Sequence, residues 1–172
     1  MVKKLEIEKK YLVKLPKSWT ALSELFDDLV DVKRISQTYL VSEKNEPAAR
    51  VRKTIQGLTG DTETVYHYNK KKSLSTGVHE ELEKEISKSE FNKHLKDSDP
   101  KKFTVHKTRF LFKFENQIFE LDVFKKPLNG LAILEIELKN KKDKVKLPPF
   151  LTVIKEVTED HRYNNFNLAN KK

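Results

Sequence analysis

Apolar and polar residues alternate with a period of two over most of the chain. From Leu5 to Val13, Leu5, Ile7, Tyr11 and Val13 fall on one face of a strand and Glu6, Glu8 and Lys10 on the other. The same alternation predicts seven more strands. Arg34 to Val41 sets Gln37 and Tyr39 on one face, and Ala49 to Ile55 sets Arg50 and Arg52 opposite Ala49 and Val51. Thr64 to Lys71 runs into Lys70, Lys71 and Lys72, and Val78 to Ile86 carries Glu81, Glu83 and Glu85 on one face. Phe103 to Phe114 places Lys107 and Arg109 against Phe110, Phe112 and Phe114. In the seventh strand Glu120 and Asp122 oppose Phe119, Leu121 and Val123, and in the eighth Glu135 and Glu137 oppose Leu134, Ile136 and Leu138. Turn residues separate the strands: Asn45 and Pro47, Gly57 to Asp61, Ser73 to Gly77, Glu115 to Gln117, and Pro127 to Gly130.

Helical spacing occurs in two places. Ser18 is positioned to cap a helix over Trp19, Leu22, Leu25, Phe26 and Leu29, whose expected task is packing. Ser87 with Glu90 has the spacing of a capping box, which predicts a short helix from Lys88 to about Leu95 with Phe91 and Leu95 as its apolar pair. Lys139 to Lys146 lacks periodicity and reads as a solvated lysine-rich loop. Pro148 and Pro149, a short apolar segment from Phe150 to Val157 and a polar cluster at Asp160, Arg162, Tyr163, Asn164 and Asn165 follow. No repeat or second domain is visible. The expected fold is α+β and mainly β: a single domain over residues 1–172, built as an eight-stranded antiparallel barrel with a few flanking helices.

Charge changes this picture. The apolar strand faces have helices to cover them, whereas the charged faces have only water, ligand or one another. Like charges cluster within strands, acidic in Glu6/Glu8, Glu81/Glu83/Glu85, Glu120/Asp122 and Glu135/Glu137, basic in Arg50/Arg52 and Lys107/Arg109. A face shaped only for solubility would intersperse the signs, because like neighbours on a sheet repel. The segregation predicts that the charged faces turn inward and line a water-filled tunnel with an acidic and a basic wall. With 35% charged residues and a net charge of +9, the chain favours a polyanionic partner.

Composition narrows the chemistry further. The absence of cysteine removes disulfides, thiolate metal sites and thiol catalysis. Five scattered histidines argue against zinc, whereas an all-oxygen acidic wall suits Mg²⁺ or Mn²⁺ bound through carboxylates and substrate phosphates. Lys10, Arg50, Arg52, Lys70, Lys107 and Arg109 are the cations available to phosphate, against roughly four to five negative charges on a free triphosphate. No apolar run approaches a membrane span and Met1 to Lys4 opens no apolar leader, so a cytoplasmic protein is expected.

Glu6-x-Glu8-x-Lys10 resembles the signature of the CYTH superfamily, the triphosphate tunnel metalloenzymes. Arg50-x-Arg52, Lys70, Glu81-x-Glu83-x-Glu85-Ile86, Lys107-x-Arg109, Glu120-x-Asp122, Glu135-x-Glu137 and Val157 to Tyr163 follow in family order across nearly the whole chain. The resemblance implies an eight-stranded tunnel that binds triphosphate with divalent metal, and is strongest to compact bacterial members that act on inorganic triphosphate. It assigns metal to Glu6, Glu8, Glu83, Glu120, Asp122, Glu135 and Glu137, phosphate to Lys10, Arg50, Arg52, Lys70, Lys107, Arg109 and Arg162, and catalysis to Lys10, Arg52 and Lys107. Lys10 reads first as a phosphate ligand or proton donor, because two neighbouring carboxylates stabilise its charge. His79 departs from the pattern, standing where many relatives carry an arginine.

The leading expectation is therefore metal-dependent hydrolysis of inorganic triphosphate. Class IV adenylyl cyclase and thiamine triphosphatase are the enzymatic alternatives. A non-catalytic polyphosphate- or RNA-binding module is the alternative from another class, although no groove-reading motif or aromatic RNA platform is present. Metal identity, substrate identity and oligomeric state stay open, a homodimer included.

Overall fold

The computed structural model describes residues 2–15, 27–42, 46–57 and 61–171. Among these residues there are nine strands: β1 (Val2–Lys14), β2 (Leu29–Tyr39), β3 (Ala48–Gln56), β4 (Glu63–Ser75), β5 (Val78–Glu85), β6 (Val105–Phe114), β7 (Gln117–Phe124), β8 (Ala132–Leu138) and β9 (Thr152–Glu156). Among the described residues two short helices join them, α1 (Lys88–His94) and α2 (Asn165–Leu168). Strands β1 to β8 close into an antiparallel barrel in the order β5-β4-β3-β2-β6-β7-β8-β1, sealed by the β1–β5 pairing. Among the described residues no helix is long and apolar enough to cross a membrane.

The length of β1 explains how the barrel closes. Ile7 to Leu12 pair with β8 along one edge, while the other edge pairs with β5 through Val2 to Ile7 and then with β9 through Tyr11 to Lys14. Between these two partners the backbone of Glu8 and Lys10 is bridged by single contacts. The Glu8 N–H donates to the Gly77 carbonyl at 2.9 Å, the Lys10 N–H to Thr158 Oγ1 at 3.1 Å, and the Lys10 carbonyl accepts from the Val157 N–H at 2.7 Å. Gly77, at φ +65°, comes so close that a Cβ there would lie 2.7 Å from the Glu8 carbonyl oxygen.

Local rules account for the connections. The β6–β7 hairpin turns on Glu115 and Asn116, both at positive φ, the conformation that a tight two-residue hairpin requires. Helix α1 begins with the expected capping box, in which Ser87 Oγ accepts the Glu90 N–H while the Glu90 carboxylate accepts the Ser87 N–H. The helix expected from Trp19, with its Ser18 cap, Leu22, Leu25 and Phe26, falls mostly outside the described residues. Leu29, expected within it, opens β2 instead. Asn45 and most of the Gly57 to Asp61 turn also fall outside them. The apolar segment after Pro149 forms β9, which extends the β1 edge.

Three apolar clusters hold the barrel. On the outside, Tyr11 and Val13 pack with Phe112, Phe119, Leu121, Leu134 and Ile136, and are covered by Val145, Leu147, Phe150 and Leu151. Also outside, Val51, Ala49, Leu40 and Ile86 receive Phe91 of α1. The third cluster lies on inward-facing positions: Tyr39, Val105, Phe124 and Ile133 close around Ala169, with Tyr163 and Leu168 against them. The C-terminal segment therefore fills one end of the barrel, and the interior is polar only over the remainder. Lys102 anchors that segment, donating to the Phe166 carbonyl at 2.8 Å and to Asn170 Oδ1 at 2.7 Å.

Candidate functional site

A cavity of about 460 Å³ occupies the polar part of the barrel, lined by inward-facing residues of β1 to β8 and by Asn165 of α2. Its ionic groups form three sets. At the β1–β8 seam, Lys10 Nζ lies 3.3 Å from Glu8 and 3.0 Å from Glu135, while Lys4 reaches Glu137 at 2.8 Å. Lys71 joins from β4, 2.9 Å from Glu6 and 3.3 Å from Glu8, and His79 Nε2 stands 3.0 Å from Glu8. Burial alone would push Lys10 down, but Glu135 and Glu8 outweigh it and hold the ammonium above its ordinary range. Burial likewise pushes Glu8 up, yet Lys10, with His79 and Lys71, keeps its carboxylate well below the usual range. Glu6 moves upward, because burial and a hydrogen bond shared with Glu81 prevail over Lys71.

The second set belongs to β3, β4 and β5. Arg50 pairs with Glu81 at 2.8 Å and Arg52 with Glu83 at 2.7 Å, each through a terminal nitrogen. Asn69, fully buried, donates to Glu81 at 3.1 Å and also to Glu83, holding the two carboxylates side by side. The Nε atoms of Arg50 and Arg52 are buried without a hydrogen-bond partner. Burial and the neighbouring Arg50 and Arg109 charges lower the proton affinity of Arg52 despite Glu83, so among the described residues its partners do not fully satisfy this cation.

The third set centres on Arg109. Its guanidinium donates to Glu120, to both oxygens of Asp122 at 2.6 and 2.7 Å, and to Glu135 at 2.7 Å, which engages most of its donors. Lys107 completes the set against Asp122. Burial pulls Lys107 down despite Asp122, while Arg109 and Lys107 together overcome the burial of Asp122 and lower it to about 2.

Most residues expected at the site meet in this cavity: Glu6, Glu8, Lys10, Arg50, Arg52, Glu83, Lys107, Arg109, Glu120, Glu135 and Glu137 all line it. Three do not. Lys70 faces outward and pairs with Glu46 at 3.1 Å, and Lys71 takes the inward position because β4 presents His67, Asn69 and Lys71 to the interior. Arg162 is 80% exposed and folded back on Asp160 at 2.7 Å. Asp122 is fully buried behind the lining, where it organises Lys107 and Arg109. The sequence reading missed Lys4, Lys33, Asn69 and Lys71. Register supplies the missing signal for two of them: Lys71 stands opposite Glu81, and Asn69 opposite Glu83.

A family model of the CYTH domain matches residues 4–161. The chain belongs to the CYTH domain family. This CYTH chain is 38% identical over 99 residues to an inorganic triphosphatase of Acetivibrio thermocellus, a match covering 57% of this chain and 62% of that protein, so it spans less than two thirds of that relative's length. In structure it superposes on the crystal structure of the inorganic triphosphatase NE1496 with a TM-score of 0.60 and 29% identity, covering 97% of this chain and 95% of the other. A Hippeastrum protein, HpAC1, whose structure is described with a dominant triphosphatase activity, shares the fold at a TM-score of 0.52 and 19% identity, over 78% of this CYTH chain and 80% of its own.

The donor set of the cavity fits a hard divalent cation. Every candidate ligand is a carboxylate oxygen, the donor type suited to Mg²⁺ or Mn²⁺. Glu8 and Glu137 are directly opposite across β1 and β8, as are Glu120 and Glu135 across β7 and β8, placements that repel without a cation between them. Lysines and Arg109 hold these carboxylates now. Accordingly, among the described residues no three acidic or histidine side chains are grouped for metal ligation.

Proposed function

We propose that this chain is a metal-dependent triphosphatase, with inorganic triphosphate as its foremost substrate. The observation that carries the reading is the pairing of Arg50 and Arg52, which bring buried, unsatisfied Nε donors to a cavity lined on the opposite side by carboxylates. The likeness to the inorganic triphosphatases of A. thermocellus and NE1496 supports it. Charge balance does so independently. Seven carboxylates and eight Lys or Arg side chains line the cavity, so it nearly neutralises itself. A triphosphate of about four to five negative charges enters such a cavity favourably only together with added positive charge. The apolar filling around Ala169 limits room for a nucleoside at that end and favours the inorganic substrate.

In this reading Arg50 and Arg52 exchange carboxylate for phosphate oxygens, and Lys107 neutralises charge on the transferring group by preorganised electrostatics. Lys10, held firmly protonated between Glu8 and Glu135, binds phosphate and steadies the charge of the leaving group by hydrogen bonding; it is not a base. Arg109, with most of its donors engaged by Glu120, Asp122 and Glu135, positions carboxylates and serves phosphate second. Glu6, Glu8, Glu135 and Glu137 would hold the Mg²⁺ or Mn²⁺, which would supply polarisation of phosphoryl oxygens and acidification of the attacking water. A cytoplasmic setting, expected from the sequence, is kept as part of the proposal.

Phosphate release from inorganic triphosphate, ATP and thiamine triphosphate, measured side by side with pyrophosphate release from ATP, tests this directly. Turnover strongest on inorganic triphosphate and abolished in Glu8→Gln supports it. Turnover confined to ATP with pyrophosphate as product would replace it with a cyclase.

A further inference from the structure

The tunnel nearly balances its own charge, so the +9 of the chain resides mainly on the outer surface. One place on that surface concentrates it. The outer face of β2, β3 and β6 carries a depression of about 150 Å³ whose polar lining is Arg34, Ser36, Lys53, His106 and Lys125, with Lys107, paired to Asp122, at its floor and no carboxylate in the lining. Ser36 is the direct cross-strand partner of Lys53 on one side and of His106 on the other, so the three side chains stand in one row roughly 5 Å apart. Ser36 Oγ and His106 Nδ1 are 3.0 Å apart, and the Lys125 N–H donates to the His106 carbonyl at 2.9 Å, which places that lysine beside the row.

The contrast with the tunnel is what points to a ligand. Every lysine and arginine of the cavity has a carboxylate within ion-pair distance, whereas Arg34, Lys53 and Lys125 have none among the described residues. Like charges gathered in a concave surface without a counter-charge raise the local potential and draw an anion from solution. The Ser36–His106 pair, hydrogen-bonded to each other, keeps one directional donor free for an anion beside the lysine and arginine charges, the combination that recognises phosphate oxygens.

We propose that this depression is a second anion site, outside the tunnel, for a small phosphate such as orthophosphate or pyrophosphate. Its size decides the class: the volume equals about five liquid waters and is well below that of pockets for nucleoside-sized ligands. Ile35 and Lys107 border both the depression and the cavity, so the site lies on the back of the wall that carries the tunnel cations.

The test is a backbone-amide NMR titration of the full chain with orthophosphate, with pyrophosphate and with chloride at matched ionic strength and pH. Saturable movement of the Ser36, Lys53 and His106 amides is expected with either phosphate and not with chloride. Lys53→Glu and the variant of the exposed Arg34, Arg34→Glu, weaken it by about tenfold or more, and the tunnel variant Arg52→Ala leaves it unchanged. Equal movement with chloride, or movement that survives Lys53→Glu but vanishes in Arg52→Ala, overturns the site. Saturation by an RNA oligonucleotide but by neither small phosphate overturns it equally, and assigns the surface to nucleic acid. Orthophosphate and pyrophosphate isotherms separate the two sources of the same chemistry.

Discussion

Lys10 and Glu135 face each other as register partners across β1 and β8, with the ammonium 3.0 Å from the carboxylate, and both are almost completely buried. Burying an ion pair brings little net stability, because desolvation offsets most of the attraction. Its value here is electrostatic order. The pair belongs to a chain of alternating charges that runs from Lys71 through Glu8, Lys10 and Glu135 to Arg109, whose links, in the proposed function, trade a protein partner for a phosphate or a metal.

Arg52 shows the cost of that readiness. Its charge is opposed by burial and by Arg50 and Arg109, and its Nε has no partner. Arg52→Met is therefore expected to leave the thermal midpoint unchanged or raised, while phosphate release falls by about 100-fold. Calorimetry and turnover on the same preparation check both, and a lower midpoint with intact turnover would assign Arg52 a structural role instead.

The two adjacent lysines of β4 should behave differently. Lys71 touches Glu6 and Glu8 inside the cavity, whereas Lys70 meets only Glu46 outside it. Lys71→Ala is expected to lower kcat/KM by about tenfold or more, and Lys70→Ala to leave it within about twofold. Equal losses would mean that β4 sits one residue out of this register.

Asp122 fixes the acid limit of stability. Lys107 and Arg109 lower its carboxyl from 3.8 to about 2, so the folded state binds its proton less readily than the unfolded chain does. The resulting stabilisation is fully present above pH 3.8 and is lost as pH falls to about 2. It amounts to about 2 kcal/mol. Glu8, Glu81 and Glu135 shift in the same direction, and the raised Glu6 and Glu120 partly oppose them. Urea unfolding at pH 5, 3.5 and 2.5 should show the loss. Asp122→Asn should cost about 3 kcal/mol at pH 7, by leaving buried cations unpaired, and should flatten the acid slope.

Gly77 sets the position of Glu8 from behind. A methyl group at this residue would meet the Glu8 carbonyl at 2.7 Å, and φ +65° strains any side chain. Gly77→Ala is expected to destabilise the fold by about 1–3 kcal/mol and to reduce turnover beyond what the unfolded fraction explains. Unchanged turnover per folded molecule would show that β1 can shift without disturbing the site.

Much of this was legible in the chain because one side-chain period governs both fold and site. Alternation placed Glu6, Glu8 and Lys10 on one face of β1, and Glu135 and Glu137 on one face of β8, and the barrel turned both faces inward. Alternation fails where a strand carries the same residue at successive positions. Lys70, Lys71 and Lys72 offer lysine to either face, so only cross-strand register identifies the inward one. The terminal segment was illegible for another reason. Tyr163, Leu168 and Ala169 have no periodicity; Ala169 is buried and the other two partly buried because Tyr39, Val105 and Phe124 leave an apolar end to fill. Arg162, two residues from Asp160, pairs locally instead of reaching the cavity.

The central claim is that a self-neutral cavity accepts triphosphate only with a divalent cation. Phosphate release from inorganic triphosphate in Mg²⁺, in Mn²⁺ and in EDTA, by the wild type and by Glu8→Gln, tests it most directly. Turnover with either metal, loss in EDTA and loss in the variant are the predicted results. Equal release in EDTA, or full activity in Glu8→Gln, would contradict it.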